Sequence, residues 1–405
     1  MRILLLTAGS RGDVEPFIAL GRRAQREGHD VRLGVTREFV DGVRSRGLDV
    51  VALDGDYEAL VAAQGVSALS ALRSYRSTIA PMMAGILRSA ARAAVDHRPD
   101  VVVHHPKVLS APLAAARLDV PHVLCEIVPT VTPTRAFPAA GTTGTDLGPL
   151  NRLTYRAAAG AAAVFAGALR DVRRDLGLPR EARVPAPART AVPVSPALLT
   201  RPDDWPATVR LTGAWSDGPD PGPEPDPELD AFLAAGDVLQ VGFGSMAAGD
   251  PLARGRAVIA AARQHGYRVL VVTGWGGVAV PPEMDGRDVL VRRSVRHASV
   301  LPRCAAAVHH GGAGTVHAVV RAGAPSVVVP FLADQPFWGR LLHERGLAAA
   351  PVPARRLTGH RLGAALASLP DAAAVRAVGA RMAHEDGCGA ALALLAEVAR
   401  PARTG

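Results

Sequence analysis

Two histidines and a glycine-rich turn stand at the mouth of an apolar strand in AAAVHHGGAGTVHAVVRAG, residues 305–323. Glycines at 311, 312 and 314 let a backbone approach an oxyanion closely. The helix beginning near Gly314 and Thr315 adds free N–H groups and a positive dipole end, so the segment predicts a phosphate site. His309, at the strand end, is a hydrogen-bond donor that helps a diphosphate leave as charge accumulates. The plainer reading is a glycine-rich helix start with core histidines beside it. A dinucleotide-binding turn is the sharper rival, because Asp334 falls 20 residues after Gly314, where an acid meets a ribose. The third glycine of G-x-G-x-x-G is missing, however, both here and in the segment from Gly242 to Gly249.

Further along, SVVVP runs into Phe331-Leu-Ala-Asp334-Gln335-Pro336-Phe-Trp338-Gly339. An acid beside an amide at a strand end supplies the acceptors and donors that a polyhydroxylated sugar ring needs, and an Asx turn before a proline-started helix fits the same residues. Near the start, Thr7-Ala-Gly-Ser10-Arg11-Gly12-Asp13-Val-Glu15-Pro16 puts a carboxylate, Asp13, after the opening strand and before a helix; a helix N-cap is the alternative role. Asp54-Gly-Asp56 has the form of a metal-holding pair but reads as a surface turn without convergent ligands, so no metal is expected.

These residues need strands that end where they begin, and the chain supplies them. Short β-rich runs alternate with amphipathic stretches, which is the pattern of βα units around parallel sheets. Strands are predicted at Arg2–Leu6, Val31–Val35, Val50–Leu53, Val101–His104 and His122–Cys125, with a helix over Glu15–Gly28. Asp217–Asp230 then holds five prolines and six acidic residues and no basic one, which is linker composition. The rhythm resumes with strands at Val238–Phe243, Arg268–Thr273, Val289–Arg292, Ala305–His309 and Ser326–Pro330. The expected architecture is α/β: two Rossmann-like doubly wound domains facing across a cleft, with ligands at the carboxyl ends of the strands. Segments 55–90 and 128–170, rich in Ala, Leu, Val, Pro and Gly, predict an apolar pocket shaped in part by helices within Leu150–Leu176.

At 405 residues, 48% hydrophobic and 20% charged, the chain is globular and long enough for two or three domains. The net charge of +9 raises nucleic acid as a partner, but Lys107 is the only lysine, the arginines are scattered, and aromatics are only 4%. Nucleic-acid binding is set aside on that account. The cationic, alanine-rich stretch Arg152–Arg174 reads first as a solvated helix face and second as a weak contact with a membrane surface. Three widely spaced cysteines and an opening apolar run too short for a signal peptide point to the cytoplasm.

The segments GFGSM (242–246), GWGG (274–277), CAAAVHHGGAGT (304–315), RAGAPSVVVPF (321–331) and ADQPFWG (333–339), together with TAGSRGDVEPFIALG near the start, resemble family 1 glycosyltransferases of the GT-B fold. The pattern is similar to sterol 3-β-glucosyltransferases and bacterial natural-product glycosyltransferases. The resemblance implies an inverting transfer from a UDP- or dTDP-activated hexose or deoxyhexose to an apolar small-molecule acceptor, with no cofactor beyond the nucleotide-sugar co-substrate. It implies that Ser245, His309, Gly311, Gly312, Gly314 and Thr315 meet the diphosphate and that Asp334 and Gln335 hold the sugar. Trp275, Ser294 and Val295 fall in the nucleotide-base region. It also implies that Asp13 is the general base, in an RGD segment where many members carry histidine, and that His105 stands where those members place the carboxylate partner, a His–Asp pair with roles reversed. His104 is set aside because strand alternation points it elsewhere. The expected boundaries are 1–215 for an acceptor-binding domain, 216–230 for a linker, 231–385 for a nucleotide-sugar-binding domain and 386–405 for a C-terminal helix and tail. A sugar-nucleotide epimerase and a non-catalytic helper protein of the same fold are the competing readings.

Overall fold

The computed structural model describes residues 1–56, 75–181, 183–216, 226–244, 246 and 249–399. They form two units: Met1–Pro196 with Arg201–Gly218 and the chain from Asp386 onward, and Ala197–Thr200 with Pro219–Glu385. Of the expected linker, 217–225 lies outside the described residues.

The first unit is built on seven strands: β1 Arg2–Leu6, β2 Asp30–Thr36, β3 Asp49–Leu53, β4 Val101–His104, β5 His122–Cys125, β6 Arg189–Val192 and β7 Val209–Leu211. All pair in parallel, in the order β3-β2-β1-β4-β5-β6-β7. A sheet covered on both faces needs apolar residues without alternation, and Ile3, Leu4, Leu5 and Leu6 are all fully buried. Helices Ala80–His97 and Ala111–Leu118 close one face, with Ile86 and Leu87 of the first packed in one core with Leu4 and Leu6. The terminal helix Gly387–Ala399 also packs on this sheet, and Arg23 anchors its start through two 3.0 Å bonds to Asp386.

Five strands make the second unit: β8 Val238–Gly242, β9 Arg268–Val272, β10 Val289–Arg292, β11 Ala306–His309 and β12 Ser326–Val328. They too are parallel, ordered β10-β9-β8-β11-β12. Its core joins Leu239, Val241 and Phe243 to Val258 and Ile259 of helix Pro251–Gln264.

Two strands, β6 and β7, were not expected. They are four and three residues long and follow proline-rich chain, so neither shows the apolar run that marks a strand in sequence. The first helix also starts earlier than expected, spanning Arg11–Arg26 with Pro16 inside it. Proline usually marks a first helical turn, which places the start too late; here Ser10 is the N-cap and opens the helix five residues before Pro16.

Candidate active site

In each sheet the strand order reverses direction once, and a doubly wound sheet opens its ligand crevice at that point. In the first unit the reversal falls at β1 and β4, neighbours whose carboxyl ends lead into Ser10–Asp13 and His105–Lys107. Asp13 is in the first turn of its helix, not its N-cap. Its Oδ2 accepts the Ser10 backbone N–H at 2.7 Å, the Ser10 hydroxyl at 3.1 Å and the Lys107 ammonium at 2.9 Å. Oδ1 lies 3.2 Å from His105 Nε2. Gly9, at φ +140°, is what allows this: a Cβ there would sit 2.2 Å from Asp13 Oδ2.

His105 Nδ1 accepts the Lys107 backbone N–H at 3.2 Å, which leaves the ring proton on Nε2 to donate to Asp13. Burial lowers the His105 pKa against the opposing pull of Asp13, so the ring is neutral near neutral pH. For Asp13, burial acts to raise the pKa but is outweighed by the Lys107 charge and the His105 hydrogen bond; the carboxyl is held well below its ordinary range and stays ionised.

Beside this group opens a cavity of about 620 Å³ whose wall includes Ile79, Met83, Leu109, Val131 and Phe165 together with Lys107. Both segments expected to be apolar contribute to it, although 57–74 lies outside the described residues.

The second unit reverses at β8 and β11. After β11 the glycine turn leads into helix Ala313–Arg321, whose N-cap is Gly312. The N–H groups of Ala313, Gly314 and Thr315 have no intrahelical acceptor and mark the helix's positive end. Gly311, at φ +90°, could not be replaced without pressing a Cβ to 2.7 Å from Val328. His309 is fully buried: Nδ1 accepts the Gly311 N–H at 3.2 Å and Nε2 lies 3.3 Å from the Ser326 hydroxyl. Both ring nitrogens are therefore engaged in shaping the turn. His310 packs against Gly244 and Gly312, and its buried Nδ1 has no hydrogen-bond partner. Burial lowers the pKa of both, to about 3 for His309 and about 4 for His310, so both are neutral donors or acceptors near neutral pH.

The remaining candidates follow the same edge of the sheet in register. Ser294 and Val295 follow β10, and Trp275, which is 38% exposed, follows β9 with its backbone N–H donating to the Gly244 carbonyl at 3.2 Å. Ser245, after β8, lies outside the described residues. After β12, Asp334 is half-buried and accepts the Trp338 indole N–H at 2.9 Å. Gln335 Oε1 accepts the Phe331 and Leu332 N–H groups at 2.7 and 3.2 Å, while its amide reaches the Met246 sulfur. Ala333, just before them, is held at φ +56°, a left-handed conformation that costs a non-glycine residue backbone energy. Asp54, the first residue of the supposed metal pair, is exposed and bonded at 3.0 Å to Arg37.

Residues 3–128 match the model of the glycosyltransferase family 28 N-terminal domain, and residues 287–399 match that of the erythromycin biosynthesis protein CIII-like C-terminal domain. Over its whole length the chain is 35% identical to O-mycaminosyltylonolide 6-deoxyallosyltransferase of Streptomyces fradiae, covering 99% of that protein. This chain belongs to the glycosyltransferases of family 1/28 type.

The glycosyltransferase also matches a sterol 3-beta-glucosyltransferase of Arabidopsis thaliana, with 29% identity over 89% of the chain, and it spans 59% of that longer relative. The crystal structure of the glycosyltransferase VinC in complex with DTDP superposes with a TM-score of 0.66 at 20% identity, covering 98% of this chain and 99% of that one. The GT-B fold expected from the motifs is thereby established.

Two groups in this glycosyltransferase escaped sequence reading. Lys107 counts in the sequence only as the chain's single lysine, yet a lone lysine three residues past a strand-end histidine was the available signal. Glu126, fully buried at the end of β5, accepts the backbone N–H groups of Thr130, Val131 and Thr132 and the Thr132 hydroxyl, fixing the loop from which Thr130 and Val131 line the cavity. Burial raises its pKa and these four donors counter it. An acid ending an apolar strand was its only mark.

Proposed function

We propose that this enzyme transfers a hexose or deoxyhexose from a UDP- or dTDP-sugar to a hydroxyl of an apolar aglycone, a bacterial secondary metabolite or sterol-like polycycle, with inversion at the anomeric carbon. The observation that carries the reading is an ionised carboxylate, Asp13, bonded at 2.9 Å to a lysine that lines an apolar cavity of acceptor size. The acceptor hydroxyl sits in that cavity, and Asp13 Oδ1 takes its proton as the oxygen bonds to the anomeric carbon. The bond from that carbon to the diphosphate oxygen breaks on the opposite face, and its electron pair leaves with the nucleotide. His105 donates to the same carboxylate oxygen and orients it. So weak a base works because the proton moves only as the new bond forms, when the hydroxyl has become acidic.

Along the second sheet the order β10-β9-β8-β11-β12 runs from Ser294, Val295 and Trp275, through the glycine turn, to Asp334 and Gln335. Base, diphosphate and sugar of a nucleotide sugar come in that order, and VinC was crystallised with a nucleotide of the same class. The helix N-terminus at Gly312–Thr315 receives the departing charge, which makes a metal ion unnecessary in this scheme. Asp334 and Gln335 bind sugar hydroxyls. A cytoplasmic setting belongs to the same reading, supported by three free cysteines.

The test incubates the purified chain with UDP- and dTDP-hexoses and a panel of apolar alcohols, with Asp13→Asn beside it. Glycoside formation that Asp13→Asn abolishes supports the scheme. Transfer by Asp13→Asn at the unsubstituted rate removes Asp13 as base, and an epimerised donor in the absence of acceptor overturns the reaction class.

A further inference from the structure

The cavity of the first unit contains a polar feature that transfer does not use. In its wall His104, the last residue of β4, and His122, the first of β5, lie 5.2 Å apart between ring centroids. His104 Nε2 is 3.0 Å from His122 Nδ1. Each outer nitrogen meets a main-chain carbonyl: His104 Nδ1 is 3.3 Å from the His105 oxygen, and His122 Nε2 is 3.2 Å from the Pro185 oxygen. Carbonyls only accept, so three hydrogen bonds in this row need three protons, whereas two neutral imidazoles carry two. With two, one contact sets lone pair against lone pair. With three, every contact is a hydrogen bond and the pair is a monocation.

Among the described residues nothing in the wall balances such a charge. Burial, with His122 alongside, holds His104 at about 3, and burial lowers His122 as well, so the pair without ligand is neutral near neutral pH. The groups beside it are the neutral His105 ring turned to Asp13 and, along the cavity wall, the Lys107 ammonium and the Tyr155 phenol. Among the described residues no carboxylate lines the cavity, while Lys107, His104 and His122 all do.

We propose that the cavity takes apolar acceptors bearing an acidic oxygen (a carboxylic acid, phenol or enol) and that the His104–His122 pair acquires a third proton as the counter-charge to that oxygen. The inference rests on the reading of this cavity as the acceptor pocket. An anion in a low-dielectric wall attracts the cation strongly, and the same proton removes the lone-pair conflict, so binding and protonation reinforce each other.

Calorimetry on the unsubstituted enzyme tests it, with 1-pyrenecarboxylate and 1-pyrenemethanol as probes, each titrated in two buffers of different ionisation enthalpy. The acid binds about tenfold tighter than the alcohol and takes up about one proton on binding; the alcohol takes up none. The acid's affinity falls as pH rises through the pKa of the liganded pair, while the alcohol's stays level. His122→Phe abolishes the uptake, and Ala159→Trp, which fills the cavity, weakens both probes. Tight binding of the acid without proton uptake, or equal affinity for the two probes, overturns the inference and leaves the pocket reading standing. Undiminished binding of both probes to Ala159→Trp overturns the pocket reading and the inference with it.

Discussion

At the carboxyl ends of β1 and β4 the candidate groups are side chains: Asp13, bonded to Lys107 at 2.9 Å and 3.2 Å from His105. At the carboxyl ends of β8 and β11 they are mostly backbone, the N–H groups of a glycine turn held in shape by a fully buried His309. Both sit where the strand order reverses, yet one site is tuned by charge and the other by space. A site made of charges responds to pH and to conservative substitution. A site made of backbone responds chiefly to volume.

The comparison breaks most sharply at Asp13. Asp13→Asn removes the proton acceptor and keeps the shape, and kcat falls by about 10³-fold with donor KM unchanged, read by steady-state kinetics. A loss no larger than that of a peripheral change would mean the first site is not the chemical one. Next comes Gly311→Val, which forces a Cβ into the 2.7 Å gap before Val328. Donor affinity drops by about 10²-fold while the pH profile keeps its form, measured by nucleotide titration and rate against pH.

Lys107→Met has a smaller effect and a diagnostic sign. The lysine charge and His105 hold the Asp13 pKa down against burial, so removing the charge lets it rise. The acid limb of kcat/KM then moves to higher pH, so the loss is greatest at acid pH and smallest at neutrality. Stability follows the same sign. A depressed folded-state pKa contributes stability above the unfolded carboxyl value, lost as pH falls through the folded one, and Lys107→Met narrows that contribution. An unmoved acid limb would separate Lys107 from the base. Smallest is Trp275→Ala, at an exposed position beside Gly244, expected to raise donor KM by about threefold and leave acceptor KM alone.

Much of this was legible in the chain because parallel strands buried on both faces advertise themselves. Arg2–Leu6, Val101–His104, His122–Cys125 and Val289–Arg292 have the expected bounds to the residue, and the glycine turn stands at its strand end. The short β6 and β7 were not legible, since their burial comes from neighbours in the sheet and not from their own pattern. Nor was the difference between His309 and His310: adjacent histidines look alike until the fold buries one ring against Ser326 and leaves the other with an unpartnered nitrogen. His104 shows the same limit, for alternation places it away from Asp13 but not that it meets His122, 18 residues on.

By itself the sequence determined the strands that carry their own apolar run and the turns that carry glycine, because periodicity and backbone freedom are local properties. Only the tertiary structure decided which polar groups share a proton or a charge. Asp13 meets Lys107 across 94 residues because β1 and β4 are neighbours in the sheet, and pairing at 2.9 Å depends on strand order and burial, to which no local pattern is sensitive.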